Sequence, residues 1–209
     1  QRRHHHLTLH QDDVVKIDLA NKKVTTRAVG DIGYDFLVIA MGSVVNFFGT
    51  EGAAEHAFPL YTMQDALRVK NHLLKTYEAV DKQPALVQAG ALNVCIVGGG
   101  PTGVEMAGAL ADLIFVEFRK DYPSVPIDQA QVMLFEHSPS LLRMFKPELQ
   151  TYAEEELKRR GVKVHTGCGV TKIAPDSITL ASGEVVNTPT LIWAAGLEAN
   201  PITATLGIE

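Results

Sequence analysis

The sequence is poor in cysteine, since only Cys95 and Cys168 occur among its 209 residues. Their spacing forms neither a Cys-x-x-Cys pair nor a zinc-binding motif. A disulfide-rich scaffold, a local redox pair and a structural zinc site are therefore excluded. We interpret both cysteines as small buried hydrophobic residues of a protein from a reducing compartment.

The sequence also lacks an excess of positive charge and a long apolar run. With 19 Lys and Arg against 24 Asp and Glu, its formal net charge is -5, which leaves no basic surface for DNA, RNA or anionic lipid. We therefore expect no nucleic-acid partner. The longest uncharged stretch, residues 83–104, contains Gln, Asn and three consecutive glycines, which argues against a membrane-spanning helix. The N-terminus shows no signal peptide.

The composition that is present is typical of a globular protein, with 46% hydrophobic and 21% charged residues. The length suffices for one large domain or two small ones. Because the chain starts at Gln1 rather than at methionine and stops at Glu209 without a closing element, we expect it to be a piece of a longer protein.

Strand patterns dominate the first part of the chain. Short strands joined by turns are predicted for residues 12–30. The apolar run Phe36–Ala40 predicts a strand that is buried on both faces and ends at Gly42. Helical spacing of apolar residues predicts a helix over 65–80, and residues 81–90 form a predicted linker.

From residue 91 onward, strand and helix patterns alternate. Strands are predicted at 94–97, 132–135 and 162–164, with helices after Gly103 and over 147–160. This order indicates an α/β fold with a parallel sheet and right-handed crossovers. A second β-meander is predicted for 168–188, and a further buried strand for 191–196.

A glycine-rich segment joins the first of these strands to its helix. It reads Gly98-Gly99-Gly100-Pro101-Thr102-Gly103. Gly98 allows a tight turn, Gly100 lets a pyrophosphate approach the backbone, and Gly103 lets the helix pack closely. The free N–H groups and the positive dipole end of the helix then face the phosphates. The pattern predicts a Rossmann-like dinucleotide site.

Two acidic residues are candidate contacts for the dinucleotide. Glu136 ends the second strand, where a carboxylate accepts hydrogen bonds from the ribose hydroxyls and repels a 2′-phosphate, so we predict NADH over NADPH. It lies further from the glycines than the usual ~20 residues, because an insertion of residues 115–131 separates helix and strand. Glu105 has two interpretations, stabilisation of the helix dipole or a place beside the nicotinamide.

Several segments together resemble one protein family. The run from Gly98 to Gly108 is similar to the NADH-binding signature of type II NADH dehydrogenases, which are FAD-containing NADH:quinone oxidoreductases of the pyridine nucleotide-disulfide oxidoreductase superfamily. Asp35–Ser43 resembles the family's first FAD-domain crossover strand, with Met41 in place of the usual threonine, and Thr190–Gly196 resembles the second.

The resemblance implies that an NADH-binding domain, 91–189, is inserted into a FAD-binding domain to which 1–60 and 190–209 belong, with a linker helix over 61–90. In the family, the FAD fingerprint, the quinone-site residues and the membrane anchor lie outside this region. We therefore expect that this chain alone does not hold FAD tightly.

The implied activity is hydride transfer from NADH to FAD, followed by transfer of two electrons to a quinone without proton pumping. The longer protein would lie peripherally on the cytoplasmic side of the cell membrane, and a homodimer is left open. Glu105 matches the family glutamate near nicotinamide and flavin, which makes it the candidate catalytic residue. The candidate cofactor-binding residues are Gly98, Gly99, Gly100, Pro101, Thr102, Gly103, Glu136, Ala194, Ala195, Gly196, Ala40 and Gly42.

The same residues are compatible with different electron acceptors. A disulfide reductase of the glutathione-reductase type would have its cysteine pair outside this region, although Glu136 disfavours an NADPH enzyme. A flavoenzyme with a protein acceptor and a non-catalytic NAD-binding module are also compatible with the sequence. The residues suggest no metal site.

Overall fold

The computed structural model describes residues 6–207, which form two compact units. The smaller unit comprises the segments before Val45 and after Gly196, and the larger unit runs from Val45 to Gly196. The strands are β1 (Val14–Asp18), β2 (Lys23–Thr26), β3 (Gly30–Gly33), β4 (Ser43–Val45), β5 (Phe58–Pro59), β6 (Asn93–Val97), β7 (Gln131–Phe135), β8 (Val162–His165), β9 (Val170–Ala174), β10 (Ser177–Leu180), β11 (Val185–Asn187), β12 (Thr190–Trp193) and β13 (Leu197–Ala199). The α-helices are α1 (Ala53–His56), α2 (Met63–Lys82), α3 (Pro101–Asp112), α4 (Arg119–Asp121), α5 (Pro147–Arg159) and α6 (Pro201–Ala204).

The smaller unit contains the first predicted meander. Strands β1, β2 and β3 pair antiparallel in chain order, as the alternation of short apolar runs and turns predicts. Ile17 and Thr26 are its buried side chains.

The prediction of a buried strand over Phe36–Ala40 is wrong. These residues form no strand, and the side chains of Phe36 and Val38 are 95% and 89% exposed. A strand buried on both faces needs hydrogen-bonded neighbours and covering layers. No strand among residues 6–207 pairs with this run, so its hydrophobicity alone does not make it a buried strand.

The larger unit is built on a five-stranded sheet with the order β5-β12-β6-β7-β8. Every pairing in this sheet is parallel, which confirms the predicted parallel α/β architecture. The glycine-rich segment follows the central strand β6. The carboxyl ends of β6, β7 and β12 therefore converge where a nucleotide binds in such sheets.

Alternate residues of the strands enter two different cores. Val94, Ile96 and Leu134 pack against the helices α2, α3 and α5 on one face. Cys95 and Met133 pack on the other face against the antiparallel sheet β11-β10-β9, which is the second predicted meander. This period of two fixes which side chains reach each layer.

Helix α2 has a defined start and a buried stripe. Thr62 accepts a hydrogen bond from the Asp65 N–H, and the Asp65 carboxylate accepts one from the Thr62 N–H, which completes a capping box. Val69, Leu73, Tyr77 and Val80 recur at helical spacing and are buried.

The insertion after α3 is helical as well. A π-helical segment, Leu113–Phe118, continues α3 into α4. The Phe118 ring lies 4.6 Å from that of Tyr77 and 5.3 Å from that of Tyr122. The insertion therefore packs its aromatic side chains against α2.

The boundaries of the two compact units differ from those of the predicted domains. Strand β12, which the resemblance assigns to the FAD-binding part, pairs in parallel with β6. Ile192 of β12 shares a core with side chains of α2. The assignment of 1–60 and 190–209 to a FAD-binding domain and of 91–189 to an NADH-binding domain stays a prediction. Among residues 6–207, no helix combines the length and apolarity needed to cross a membrane.

Candidate dinucleotide-binding site

The turn after β6 depends on glycine at two positions. Gly98 has φ 113°, and a Cβ atom there would lie 2.7 Å from the carbonyl oxygen of Ala194. A Cβ atom on Gly103 would overlap the carbonyl oxygen of Gly98. These two residues therefore allow the loop to close on itself and against the end of β12.

The two glycines between them have different surroundings. A Cβ atom on Gly99 would lie 2.7 Å from the Leu141 side chain and 2.8 Å from that of Glu136. A Cβ atom on Gly100 would meet no atom within 4 Å. Gly100 is thus the position where the fold leaves space over the backbone, as the pyrophosphate role predicts.

Helix α3 begins without a side-chain cap. Gly100 is the N-cap residue and Pro101 occupies the first turn. Pro101 and Thr102 are exposed. Because the first N–H groups of a helix have no partner within the helix, this end offers hydrogen-bond donors and the positive end of the dipole to an anion.

The Glu136 carboxylate is attached to the glycine-rich turn. Its Oε2 accepts a hydrogen bond from the Gly99 N–H at 2.5 Å, and its Oε1 accepts one from the Ser138 N–H at 2.7 Å. The residue is half-buried. A carboxylate has about four lone-pair sites, so both oxygens can still accept hydrogen bonds from ribose hydroxyls.

A cavity of about 500 Å³ opens at this edge of the sheet. Of the predicted residues, it is lined by Gly98, Gly100, Glu136, Ala194 and Ala195. Other lining residues were not predicted from the sequence. They come from the segment after β4, from the ends of β6, β7 and β12, and from the start of β9 and the residues just before it. They are Phe48, Thr50, Val97, Phe135, Cys168, Gly169, Val170 and Trp193.

His137 and Cys168 are the reactive side chains of this lining. His137, which follows Glu136, is exposed. Burial raises the pKa of the Cys168 thiol above its ordinary value, so Cys168 is a poor nucleophile here. His137 is next to the predicted residue Glu136 in the sequence, whereas Cys168 reaches the cavity only because segments distant in the sequence meet there.

A smaller cavity of about 180 Å³ adjoins the turn. It is lined by Gly99, Gly100, Pro101 and Glu136 together with four residues of the loop after β7. These four residues are Ser140, Leu142, Arg143 and Met144. This loop was not predicted to border the site, although the sequence has a cation, Arg143, seven residues after Glu136.

The candidate catalytic residue is not part of either lining. Glu105 is the fifth residue of α3, and its side chain is exposed. It borders neither of the two cavities. Its place beside a nicotinamide stays a prediction.

The residues predicted to contact the flavin belong to both units, with Ala40 and Gly42 in the smaller one and Ala194, Ala195 and Gly196 in the larger one. Ala40 and Gly42 lie in the irregular segment before β4. A Cβ atom on Gly196 would lie 2.5 Å from the Phe48 ring, so Phe48 fills the space that the small residue leaves. The roles of these residues at FAD stay predictions. Within residues 6–207, no group of His, Cys, Asp or Glu could hold a metal ion.

Known proteins resemble most of this chain. External alternative NAD(P)H-ubiquinone oxidoreductase B1 of Arabidopsis thaliana is 33% identical over 94% of this chain and 37% of its own length. A probable NADH-ubiquinone oxidoreductase of Schizosaccharomyces pombe is 33% identical over 95% of this chain and 39% of its own. The chain thus spans about two fifths of these relatives, which confirm the resemblance to type II NADH dehydrogenases.

A solved structure shows the same fold. The structure of NDH2 from Plasmodium falciparum in complex with NADH matches 94% of this chain and 42% of that chain, with a TM-score of 0.85 and 23% identity. The model of the pyridine nucleotide-disulphide oxidoreductase family matches residues 1–209. The chain therefore belongs to the pyridine nucleotide-disulphide oxidoreductase family.

Proposed function

We propose that this chain is the NADH-binding part of a FAD-dependent NADH:quinone oxidoreductase. The observation that carries the proposal is the Glu136 carboxylate, which is hydrogen-bonded to the Gly99 N–H beside the open backbone of Gly100. A carboxylate that ends a strand next to a glycine-rich turn is the arrangement that binds the adenosine ribose of a dinucleotide.

The pyrophosphate would lie over Gly100 at the start of α3. The open space there lets phosphate oxygens approach the backbone, and the uncapped helix end supplies N–H donors. Gly98, Gly99 and Gly103 hold this geometry, and Pro101 and Thr102 form the first turn. Ala194 and Ala195 border the larger cavity, where their small side chains leave room for the rest of the dinucleotide.

The adenosine ribose would lie at Glu136. Its oxygens accept hydrogen bonds from the 2′- and 3′-hydroxyl groups and repel a 2′-phosphate, so NADH is the preferred reductant. Glu105 would orient the nicotinamide and adjust the local charge, a role that requires the dinucleotide to extend past the first turn of α3.

The remaining chemistry belongs to the whole protein. The family implies FAD, which would be the hydride acceptor when it is bound. A quinone would be the final electron acceptor. The relatives named above are ubiquinone oxidoreductases, and the Arabidopsis protein is named as mitochondrial. Because quinones reside in membranes, the protein would act peripherally at a membrane surface.

A second candidate differs only in the electron acceptor. A ferredoxin reductase from Rhodopseudomonas palustris matches 95% of this chain with a TM-score of 0.72 and 19% identity. The same fold therefore occurs in a protein that is named as a reductase of ferredoxin, which is a protein acceptor. A non-catalytic NAD-binding module is the third possibility.

The nucleotide part is tested by titrating the protein with NADH and NADPH while following nucleotide fluorescence. Glu136→Ala should weaken NADH binding about tenfold, since hydrogen bonds to a charged group contribute about 1.5–3 kcal/mol. Glu136→Gln should reduce the preference for NADH. Glu78→Gln is the matched control, because Glu78 is an exposed carboxylate on α2. An unchanged preference in both Glu136 variants would contradict the ribose assignment.

The acceptor is tested on the whole protein under anaerobic conditions. NADH should bleach the flavin absorbance, and a soluble quinone should restore it rapidly. Bleaching without recovery by quinone would favour a disulfide or protein acceptor. Absence of a flavin signal would leave only a dinucleotide-binding module.

A further inference from the structure

A further cavity lies on the face of the parallel sheet that carries the second meander. This meander cavity has a volume of about 610 Å³ and is bordered by β7 and β8 on one side and by β11 on the other. Phe135 is the one residue that it shares with the cavity of about 500 Å³ at the glycine-rich turn. Small-molecule sites typically measure about 300–1,000 Å³. The meander cavity is therefore large enough for a ligand and separate from the dinucleotide site.

The charged side chains of this cavity come from the edge of the sheet. Met133 and Phe135 of β7 belong to the apolar core under the meander, and their register partners on β8 are Lys163 and His165. Strand β8 is an edge strand, and both of these side chains are exposed. Because register partners point to the same face of a sheet, a lysine and a histidine stand beside an apolar floor.

One end of the meander cavity is rich in carboxamide groups. Asn93 and Gln131 are register partners there, and Nδ2 of Asn93 donates a hydrogen bond to the Asn187 carbonyl oxygen at 2.8 Å. Oε1 of Gln131 accepts a hydrogen bond from Nζ of Lys163 at 3.0 Å. The ammonium group is thus held toward the carboxamide end, which offers several N–H donors to a ligand.

The other end combines aromatic rings with a carboxylate. The rings of Phe135 and His165 stack with their centroids 4.9 Å apart. Burial and, secondly, the negative charge of Glu184 raise the pKa of the Cys168 thiol, and the Cys168 N–H donates to the carbonyl oxygen of Glu136, just beyond β7. Glu184 therefore lies toward the carboxyl end of β7.

The meander cavity thus presents opposite charges along its length. Gln131 and Phe135 are four residues apart on β7, which corresponds to about 13 Å. Among residues 6–207, neither Lys163 nor Glu184 forms an ion pair. A matching ligand has an anionic group for Lys163 at one end and a hydrogen-bond donor for Glu184 at the other.

We propose that the meander cavity binds a nucleoside monophosphate whose base carries an exocyclic amino group. The phosphate would accept hydrogen bonds from Lys163 and from the Gln131 amide. The base would lie at the His165 ring and donate its amino group to Glu184, because bases stack on aromatic side chains and carboxylates accept from such amino groups. The phosphate and the amino group lie at opposite ends of the ligand, as Lys163 and Glu184 do in the cavity. This site does not depend on the dinucleotide function proposed above.

The test titrates AMP into the protein in a calorimeter after saturation with NADH, so that the dinucleotide site is occupied. One AMP should still bind per chain. Lys163→Gln should raise the Kd for AMP about tenfold, whereas adenosine, which has no phosphate, should bind equally to both proteins. Lys70→Gln is the matched control and should leave the Kd for AMP unchanged, because Lys70 is an exposed lysine of α2 that does not border the cavity.

A second comparison tests the base end of the cavity. IMP has a carbonyl oxygen where AMP has its amino group, so the Glu184 carboxylate should disfavour it. The wild type should bind AMP more tightly than IMP. Glu184→Gln should remove this preference, because an amide can donate to the carbonyl oxygen as well as accept from the amino group.

The outcomes keep this proposal apart from the dinucleotide function. Absence of AMP binding to the NADH-saturated wild type would overturn the meander site, and so would an unchanged AMP affinity in Lys163→Gln. Equal affinities of the wild type for AMP and IMP would overturn the assignment of the base to Glu184. Failure to bind NADH would contradict the dinucleotide function alone, and AMP titrated without NADH should then still lose affinity in Lys163→Gln.

Discussion

Replacing Gly100 by alanine should separate nucleotide binding from folding. Gly100 has φ −75° and ψ −178°, an extended conformation that alanine adopts without strain. A Cβ atom there would meet nothing within 4 Å. The gain from restricting the unfolded chain, about 0.4–1 kcal/mol, is offset by the poorer N-cap that alanine provides. The free energy of unfolding should therefore change by less than about 1 kcal/mol, which for a domain of this size corresponds to about 2–4 °C in Tm.

Binding should respond far more strongly. The added methyl group occupies the space through which phosphate oxygens would reach the backbone N–H groups of α3. We expect the Kd for NADH to rise at least about tenfold, equivalent to about 1.4 kcal/mol. Fluorescence titration with NADH measures the affinity, and thermal unfolding monitored by circular dichroism measures the stability of the same samples.

Two neighbouring glycines provide the controls. Gly103→Ala should destabilise the protein strongly, because its Cβ atom would overlap the Gly98 carbonyl oxygen. Gly108→Ala in the middle of α3 should stabilise it by up to about 1 kcal/mol, since its Cβ atom would lie 3.8 Å from Leu157, an ordinary contact. Gly108→Ala should leave NADH affinity unchanged. A Gly100→Ala protein that is stable and binds NADH as tightly as the wild type would refute the placement of the pyrophosphate.

Three further predictions concern stability. Tyr77→Phe should raise the free energy of unfolding in urea by about 1 kcal/mol, because the buried Tyr77 hydroxyl has no hydrogen-bond partner among the described residues, and a decrease would contradict this. Thr62→Ala should lower it by about 1 kcal/mol by removing the capping box of α2, whereas an effect near zero would mean that the helix end is held by packing. Burial lowers the pKa of His72, whose Nε2 atom lies 2.9 Å from the Thr190 hydroxyl. The neutral ring should therefore contribute its full stabilisation above the unfolded-state pKa near 6.5, and the free energy of unfolding should decrease as the pH falls below that value. Urea denaturation between pH 5 and pH 8 should show a smaller decrease in the free energy of unfolding for His72→Gln than for the wild type. Identical pH profiles of the two proteins would exclude His72 as the cause.

The order of elements in the larger unit is predictable because each has a local determinant. Strands β6 and β7 are short apolar runs, and α2 and α5 have apolar residues at helical spacing. Gly161 ends α5 in a left-handed conformation with φ 87°, as its position after the last helical residue predicts. The structure places these elements within a few residues of the predicted limits.

The errors arise where distant partners decide the outcome. Phe36–Ala40 has the composition of a buried strand, yet burial depends on neighbours that a local pattern does not contain. The π-helical continuation of α3 packs Phe118 against Tyr77 of α2, a contact between segments that are distant in the sequence. For the site, the glycine motif and Glu136 were predictable, whereas Thr50 and Cys168 reach the cavity only through the pairing of remote segments.

The candidate site separates residues that the fold requires from residues that it leaves free. A side chain on Gly98 or Gly103 would meet the protein's own backbone, so these glycines are needed for the turn with or without a ligand. Gly100 has empty space above it. The fold therefore accounts for Gly98 and Gly103, whereas the proposed roles of Gly100 and Glu136 concern the nucleotide. Substitutions that change the preferred nucleotide are accordingly expected at Glu136, at some loss of stability because its carboxylate also accepts hydrogen bonds from the Gly99 and Ser138 N–H groups, and not among the glycines that close the turn.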